Sequence, residues 1–462
     1  MTIDIFTFVI LALAFLAIAW RKMKGAQDVA SFHIAGWTAG PFALIASLVA
    51  LFGAGEISTF TEYYDLLGSA ILVFFIGVAS GFIFVAFNAK RFFNLRILRH
   101  TPAPVPTAYQ INDTVFDRFG CLNGWLFTVL AAVGLLALYL IQVIVGSKLI
   151  SVGSQVGYVP AVIGVSTVVA AYVILSGLDG IYATDKLQFL ALVVGLVGIT
   201  IYAGREADIS FSAQYSTFFD SLDIPTGFLL FFTGFFPVVG GADVLQRIIS
   251  AKDRRDIKRV SFVSAGGWLF LGLLLVAFSK GISGYATEDT PGFIAFLDQA
   301  EGPIRVLMIV ALVCALLSTA DTEAHGVGVL INRALNPLKE PSVLLSRILI
   351  GMTCVVAGTL AIYFKEDLVR IYVILLNISL ILGPLVVAMA FNRGTRASAL
   401  ISLGVSTAIF CYYTISDIWF ATAHSMSIQA LVLAVPTLAN LFFHQRQSEG
   451  VQLRERRVND VQ

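Results

Sequence analysis

Charge is the scarcest feature of this 462-residue chain, since only 13% of its residues are Asp, Glu, Lys or Arg. A soluble domain carries about a quarter. The 30 Lys and Arg nearly cancel the 29 Asp and Glu, for a net charge of +1, so no basic field exists for nucleic acid. Cysteine is equally sparse. Cys121, Cys314, Cys354 and Cys411 form no CxxC pair, and no histidine spacing suggests a metal site. They read as small apolar filler within helices. Neither a P-loop nor a nucleophile–base pair is visible, so nucleotide-driven work and enzymatic catalysis have no support and no cofactor is expected. Together these absences exclude secreted disulfide scaffolds, disordered chains and soluble globular enzymes.

What the chain has in excess is apolar length. Apolar residues make up 58% of it, and its mean hydropathy is +0.87. Thirteen apolar runs are each long enough to span a bilayer as a helix: 3–20, 39–64, 69–88, 122–147, 160–176, 187–204, 226–246, 260–279, 306–331, 348–364, 371–391, 397–413 and 426–443. None shows the alternation of a membrane β-strand. The first run has Asp4 before it and Arg21, Lys22 and Lys24 after it, with no small-residue cleavage site, so it reads as a retained span. All Lys and Arg except Lys148, Arg205, Lys280, Arg305, Lys365 and Arg370 fall in the loops that an outside N-terminus makes cytoplasmic. The positive-inside rule therefore predicts an all-α polytopic protein of the plasma (inner) membrane, N-terminus outside and C-terminus cytoplasmic.

Two spans depart from an ideal helix. Span 2 carries Gly53-Ala54-Gly55-Glu56 at mid-membrane depth. Span 7 carries Gly234-Phe235-Phe236-Pro237-Val238-Val239-Gly240-Gly241. Proline removes a helix hydrogen bond and glycine loosens the rest, and unwound backbone at this depth must lie inside protein or beside a cavity. Interrupted helices five spans apart point to a secondary transporter of two inverted five-span halves, although small residues also permit plain helix packing. Intramembrane ionisable groups are functional candidates by default. Glu56 lies in the break of span 2, Asp185 opens span 6 at the inner side, and Asp321 lies in span 9 beside Ser318 and Thr319. As a helix-start charge, Asp185 is equally compatible with a plain dipole interaction.

Four segments carry a family resemblance: Ser31-Phe32-His33-Ile34-Ala35-Gly36-Trp37, the stretch Gly180 to Gln188, Asp243 to Asp253, and Leu317-Ser318-Thr319-Ala320-Asp321-Thr322. In this order, over roughly residues 31–390, the chain resembles the sodium:solute symporter family of sodium-coupled proline, pantothenate, sugar and sialic acid carriers. The resemblance implies a leucine-transporter-like (LeuT-like) 5+5 inverted repeat with two broken helices, spans 2 and 7. Its segments would be an N-terminal peripheral helix and inner loop (1–38), a first repeat (39–204), an external loop (205–225), a second repeat (226–391), two peripheral helices (392–443) and a cytoplasmic polar tail (444–462). It further implies a sodium site of backbone carbonyls at Ala54, Ile57 and Ala315 with the hydroxyls of Ser318 and Thr319. Glu56, Asp185 and Asp321 would serve ion coupling or the ion path.

Around the two breaks, Gly53, Gly55, Thr59, Thr61, Thr233, Phe235, Phe236, Gly240 and Gly241 are the expected substrate region. The second break offers no hydrogen-bonding side chain from Gly234 to Gly241. That favours a small amino acid or organic acid over a sugar, held partly by backbone and helix dipoles. The leading expectation is a sodium-coupled symporter, with a small-molecule solute, the sodium ion and the lipid bilayer as its partners. A transporter-like sensor module acting with a separate signalling partner is one alternative. A proton-coupled carrier of the same fold is the other.

Overall fold

A computed structural model of the chain describes residues 3–99, 106–152, 154, 156–206, 224–285, 292–416, 432 and 434–443. Helices α1 (Ile3–Lys22) and α2 (Val29–Ile34) lead into α3 (Pro41–Ala50) and α4 (Ala54–Leu67). Next come α5 (Leu72–Phe87), α6 (Ala89–Phe93), α7 (Ile111–Phe119), α8 (Cys121–Val152) and α9 (Tyr158–Glu206). The second half holds α10 (Ile224–Gly240), α11 (Ala242–Ser250), α12 (Arg254–Ile282), α13 (Gly292–Gln299) and α14 (Gly302–Leu335). Helices α15 (Val343–Tyr363), α16 (Leu368–Ala390) and α17 (Arg396–Ile415) follow. No strand occurs among the described residues; Ala39 and Ala251 form an isolated parallel bridge.

Among the described residues, nine helices are long and apolar enough to cross a membrane, or eleven if each of two bent pairs counts as one span. The bent pairs are α3 with α4, whose axes differ by 45°, and α10 with α11, which differ by 42°. Residues 426–431 and 433 of the expected thirteenth span (426–443) fall outside the described residues, as do 207–223 of the expected external loop (205–225) and the tail at 444–462.

Helix α9 departs from the sequence expectation. A straight helix of its 49 residues would be about 74 Å long, more than twice the roughly 30 Å hydrocarbon core. It is divided at Gly177, whose φ of 56° and ψ of −157° break the helix. That conformation is essentially confined to glycine, and a Cβ there would also lie 2.6 Å from the Phe32 carbonyl oxygen. Spans 5 and 6 therefore meet at one residue instead of across a loop at 177–186. Asp185 consequently does not open a helix. It sits inside the second arm of α9, fully buried.

Helix α14 is the axis of the molecule, buried almost throughout from Met308 to Arg333 and packed along α8 and α9. Helix α10 lies between α5 and α16. Its approach to α5 is set by glycine, because a Cβ on Gly234 would collide with the Phe74 carbonyl and one on Gly77 with that of Phe231. The outward faces of α1, α15 and α17 expose apolar side chains such as Leu13, Val355 and Ile401, as a lipid-facing surface requires. Asp4 pairs with Arg305 at 2.8 Å, and Lys22 with Asp179 at 3.1 Å. These pairs pin the two ends of α1 to α14 and α9.

The two bent pairs are tied together directly. The Ala39 N–H donates to Ser250 (3.2 Å) and the Lys252 N–H to Ala39 (3.1 Å). The chain entering α3 thus lies against the chain leaving α11.

Candidate functional site

Ending α3 in the middle of the protein leaves carbonyls that its own helix cannot satisfy. Three carbonyls at this end have specific partners: Leu48 accepts from Trp268 Nε1 (2.9 Å), Val49 from the Phe52 N–H (3.2 Å), and Leu51 from Thr319 Oγ1 on α14 (3.3 Å). Thr319 Oγ1 also lies 3.3 Å from the Ala315 carbonyl. Ala54 and Ile57 fall within α4, where their carbonyls are acceptors for the helix itself. The carbonyl that the bend turns toward Thr319 is that of Leu51.

A further oxygen cluster faces Gly53, the N-cap of α4. A Cβ on Gly53 would lie 2.6 Å from Glu56 Oε2, 2.6 Å from Thr319 Oγ1 and 2.7 Å from Gln142 Oε1. The three oxygens come from α4, α14 and α8, and only the missing side chain allows them to converge. Gln142 orders this group: its Nε2 donates to Glu56 Oε2 (2.8 Å), and its Oε1 accepts the Gly55 N–H (2.9 Å).

The second bend repeats the arrangement. Gly241 caps α11, and a Cβ on it would lie 2.7 Å from Asp243 Oδ1. In both pairs, then, a first-turn carboxylate folds back over the glycine that starts the second half-helix. Acids at this position complement the positive helix end.

Ser318 and Thr319 serve different neighbours. Ser318 Oγ donates to Asp185 Oδ1 at 2.7 Å. Asp321 accepts from Tyr172 Oη at 2.9 Å. Beside them Arg247 is fully buried, donating from Nε to Ser47 Oγ (2.6 Å), from Nη1 to the Asp243 carbonyl (3.1 Å) and from Nη2 to Thr322 Oγ1 (2.5 Å). Glu323 on α14 is also fully buried, and neither carboxylate oxygen has a hydrogen-bond partner. Among the described residues, no three His, Cys, Asp or Glu side chains come together as metal ligands.

A cavity of about 110 Å³ lies between the bends. Glu56, Gly240, Gly241, Asp243, Trp268, Tyr372 and Ser379 line it, with apolar side chains between them. Of the expected substrate residues, Gly240 and Gly241 face it, whereas Gly53, Gly55, Thr59, Thr61, Thr233, Phe235 and Phe236 do not. Thr233 bonds back to the Leu229 carbonyl, Phe235 packs on Phe84, and Phe236 abuts Gly383. Thr61 bonds to the Ser58 carbonyl, and Thr59 is buried with its hydroxyl unpartnered. Gln142, Ser47 and Glu323 were absent from the sequence expectation. The available signal was a polar residue inside an apolar span.

No protein-family model and no curated protein matches the chain. Solved structures do. The chain is similar to a Na+-coupled sialic acid symporter in a substrate-bound, outward-open state, with a TM-score of 0.73 and 16% identity over 97% of this chain and 99% of that one. It is also similar to Mhp1, a nucleobase-cation-symport-1 family transporter in a closed conformation with bromovinylhydantoin bound. There the TM-score is 0.61 and the identity 14%, over 88% of this chain and 92% of that one. A third is MhsT in complex with L-phenylalanine, with a TM-score of 0.54 and 13% identity over 87% and 99% of the two chains. What is shared is the fold: an all-helical integral membrane protein of the leucine-transporter type.

Proposed function

We propose that the chain is a sodium-coupled secondary symporter of the sodium:solute symporter family, importing a small organic solute by alternating access. The observation that carries this reading is the meeting of Thr319 on α14 with the broken end of α3 at Leu51. Oxygens of Glu56 and Gln142 lie beside it. A hard cation is held by oxygen ligands, and this group supplies hydroxyl, amide, carboxylate and carbonyl oxygens from four elements, α14, α8, α4 and the end of α3. From the sodium set expected on sequence, Thr319 is kept and joined by the Leu51 carbonyl, whereas the carbonyls of Ala54, Ile57 and Ala315 lie within α4 and α14 and serve as acceptors in those helices. Ser318 and Asp185 form a separate contact deeper along α14 and α9, suited to the ion's path, and Asp321 adjoins it. The repeated glycine-and-acid start of α4 and α11, and the bridge from Ala39 to Ala251, support two inverted halves. A membrane potential supplies about 2.3 kcal/mol per charge per 100 mV to such a carrier.

Equilibrium binding of radioactive Na+ to the purified chain tests the reading. Saturable binding that K+ does not displace, and that Thr319→Ala weakens, is the expected result. A specific observation favours proton coupling as the second reading, namely the unpartnered carboxylate of Glu323. It predicts no saturable Na+ binding, and solute uptake driven by a pH gradient that Glu323→Gln abolishes.

A further inference from the structure

The positive ends of broken helices commonly receive the anionic group of a substrate. In this chain both ends are already occupied from within. Glu56 folds over Gly53 at the start of α4, and Asp243 folds over Gly241 at the start of α11. The Gly55 N–H is taken by Gln142. Facing the cavity between the bends are therefore carboxylates, not free N–H groups. Glu56 and Asp243 both line it, and among the described residues no Lys, Arg or His does. Arg247, a fully buried cation beside Asp243, does not line the cavity, and its donors go to Ser47, Thr322 and the Asp243 carbonyl.

The rest of the wall suits the same ligand. Trp268, Tyr372 and Phe74 present aromatic surface to the cavity, and aromatic faces attract a desolvated ammonium group. Behind the wall, Glu323 is buried with both oxygens unpartnered, within electrostatic reach of Asp243 and Glu56. Asp185 and Asp321 are buried further along α9 and α14. Buried acids thus outnumber the one buried guanidinium in this region, where an unpaired charge is expensive. A cation in the cavity stabilises the ionised forms of Asp243 and Glu56, which line it, whereas an anion is repelled by them.

We propose that this cavity binds a small organic cation, an ammonium group on a compact apolar body, with Asp243 and Glu56 as its counter-ions. This deepens the symporter reading by naming the solute class, and it departs from the organic acid considered on sequence. Sodium at the Thr319 group and the ammonium group in the cavity would be separate occupants, with Glu56 adjoining both.

The test uses three near-isosteric probes, isobutylamine, isobutanol and isovalerate, with the full chain in detergent at constant Na+ and neutral pH. The amine is expected to raise the melting temperature with saturation, and the alcohol and acid to give no saturable shift. Asp243→Asn is expected to weaken amine binding at least tenfold, and Asp243→Glu to restore it. If Asp243→Asn does not fold, the probe comparison on the unaltered chain still decides. Equal or greater stabilisation by isovalerate or isobutanol overturns the inference, as does unchanged amine affinity in folded Asp243→Asn. Na+-driven uptake of an acid, without amine binding, overturns the inference and leaves symport standing. Amine binding without any Na+-driven uptake does the reverse.

Discussion

Gly53→Ala is the smallest change that fills the oxygen cluster. The new Cβ would start 2.6 Å from Glu56 Oε2 and Thr319 Oγ1 and 2.7 Å from Gln142 Oε1, where real Cβ contacts stay beyond 3.0 Å. All three oxygens must therefore retreat by several tenths of an ångström. Overpacking of this kind costs about 1–3 kcal/mol, and the flexible ends of Glu56 and Gln142 favour the lower part of that range. The loss to a bound cation is larger than the loss to the fold, because three ligands move at once. We expect Na+ affinity to fall at least tenfold, a change of about 1.4 kcal/mol. Thermal unfolding in Na+ against K+ at equal ionic strength reads both effects. The unaltered chain should melt higher in Na+, and Gly53→Ala should melt a few degrees lower with the Na+ increment gone. Gly266→Ala is the matched control, since nothing lies within 4 Å of its added Cβ. It should be neutral or stabilising by up to about 1 kcal/mol. A Gly53→Ala chain that keeps the full Na+ increment would refute the cluster as an ion site.

Further outcomes follow from the same geometry. Thr319→Ala should raise the Na+ concentration needed for half-maximal stabilisation, whereas Ser318→Ala should chiefly lower stability, by about 1–3 kcal/mol. The reason is that Asp185 then loses a donor at Oδ1 while Oδ2 already has none. Identical Na+ titrations for the two variants would contradict this separation. Asp113 and Arg333 form a buried pair at 2.6 Å between α7 and α14. Removing either partner should cost about 3–5 kcal/mol, with much of it recovered in an Asp113→Leu, Arg333→Met double variant, as measured by melting temperature and monodisperse yield. Gly177→Ala should destabilise by about 1–3 kcal/mol through its backbone conformation alone, with the Phe32 contact adding to that. Gly164→Ala, with open space around it, should not.

Membrane class was legible because hydropathy is a local property that composition reports directly. The glycines at 53 and 241 and Pro237 are local signals too, since each changes what its own backbone can do. Long-range pairings were not legible. Asp179, Asp185 and Lys186 made residues 177–186 look like a loop, yet Asp179 meets Lys22, and Asp185 is buried against Ser318 on a different helix. Only the fold reveals such partners. The same holds for Gln142, a single amide in an apolar run, whose bonds reach Glu56 and Gly55. For Thr233, Phe235 and Phe236, the missing quantity was rotation about the helix axis. It is fixed by backbone contact of Gly77 and Gly234 with the facing helices, and it turns these side chains away from the cavity.

The central claim, that solute and sodium move together, is tested most directly by solute-driven sodium entry. Proteoliposomes containing the chain are given an inward gradient of isobutylamine, with radioactive Na+ at equal concentration on both sides and the membrane potential clamped at zero. Net entry of Na+ against its own balance, dependent on the amine and abolished in Thr319→Ala, is the predicted result. Amine entry faster than into protein-free liposomes, yet leaving sodium at balance, would contradict sodium coupling.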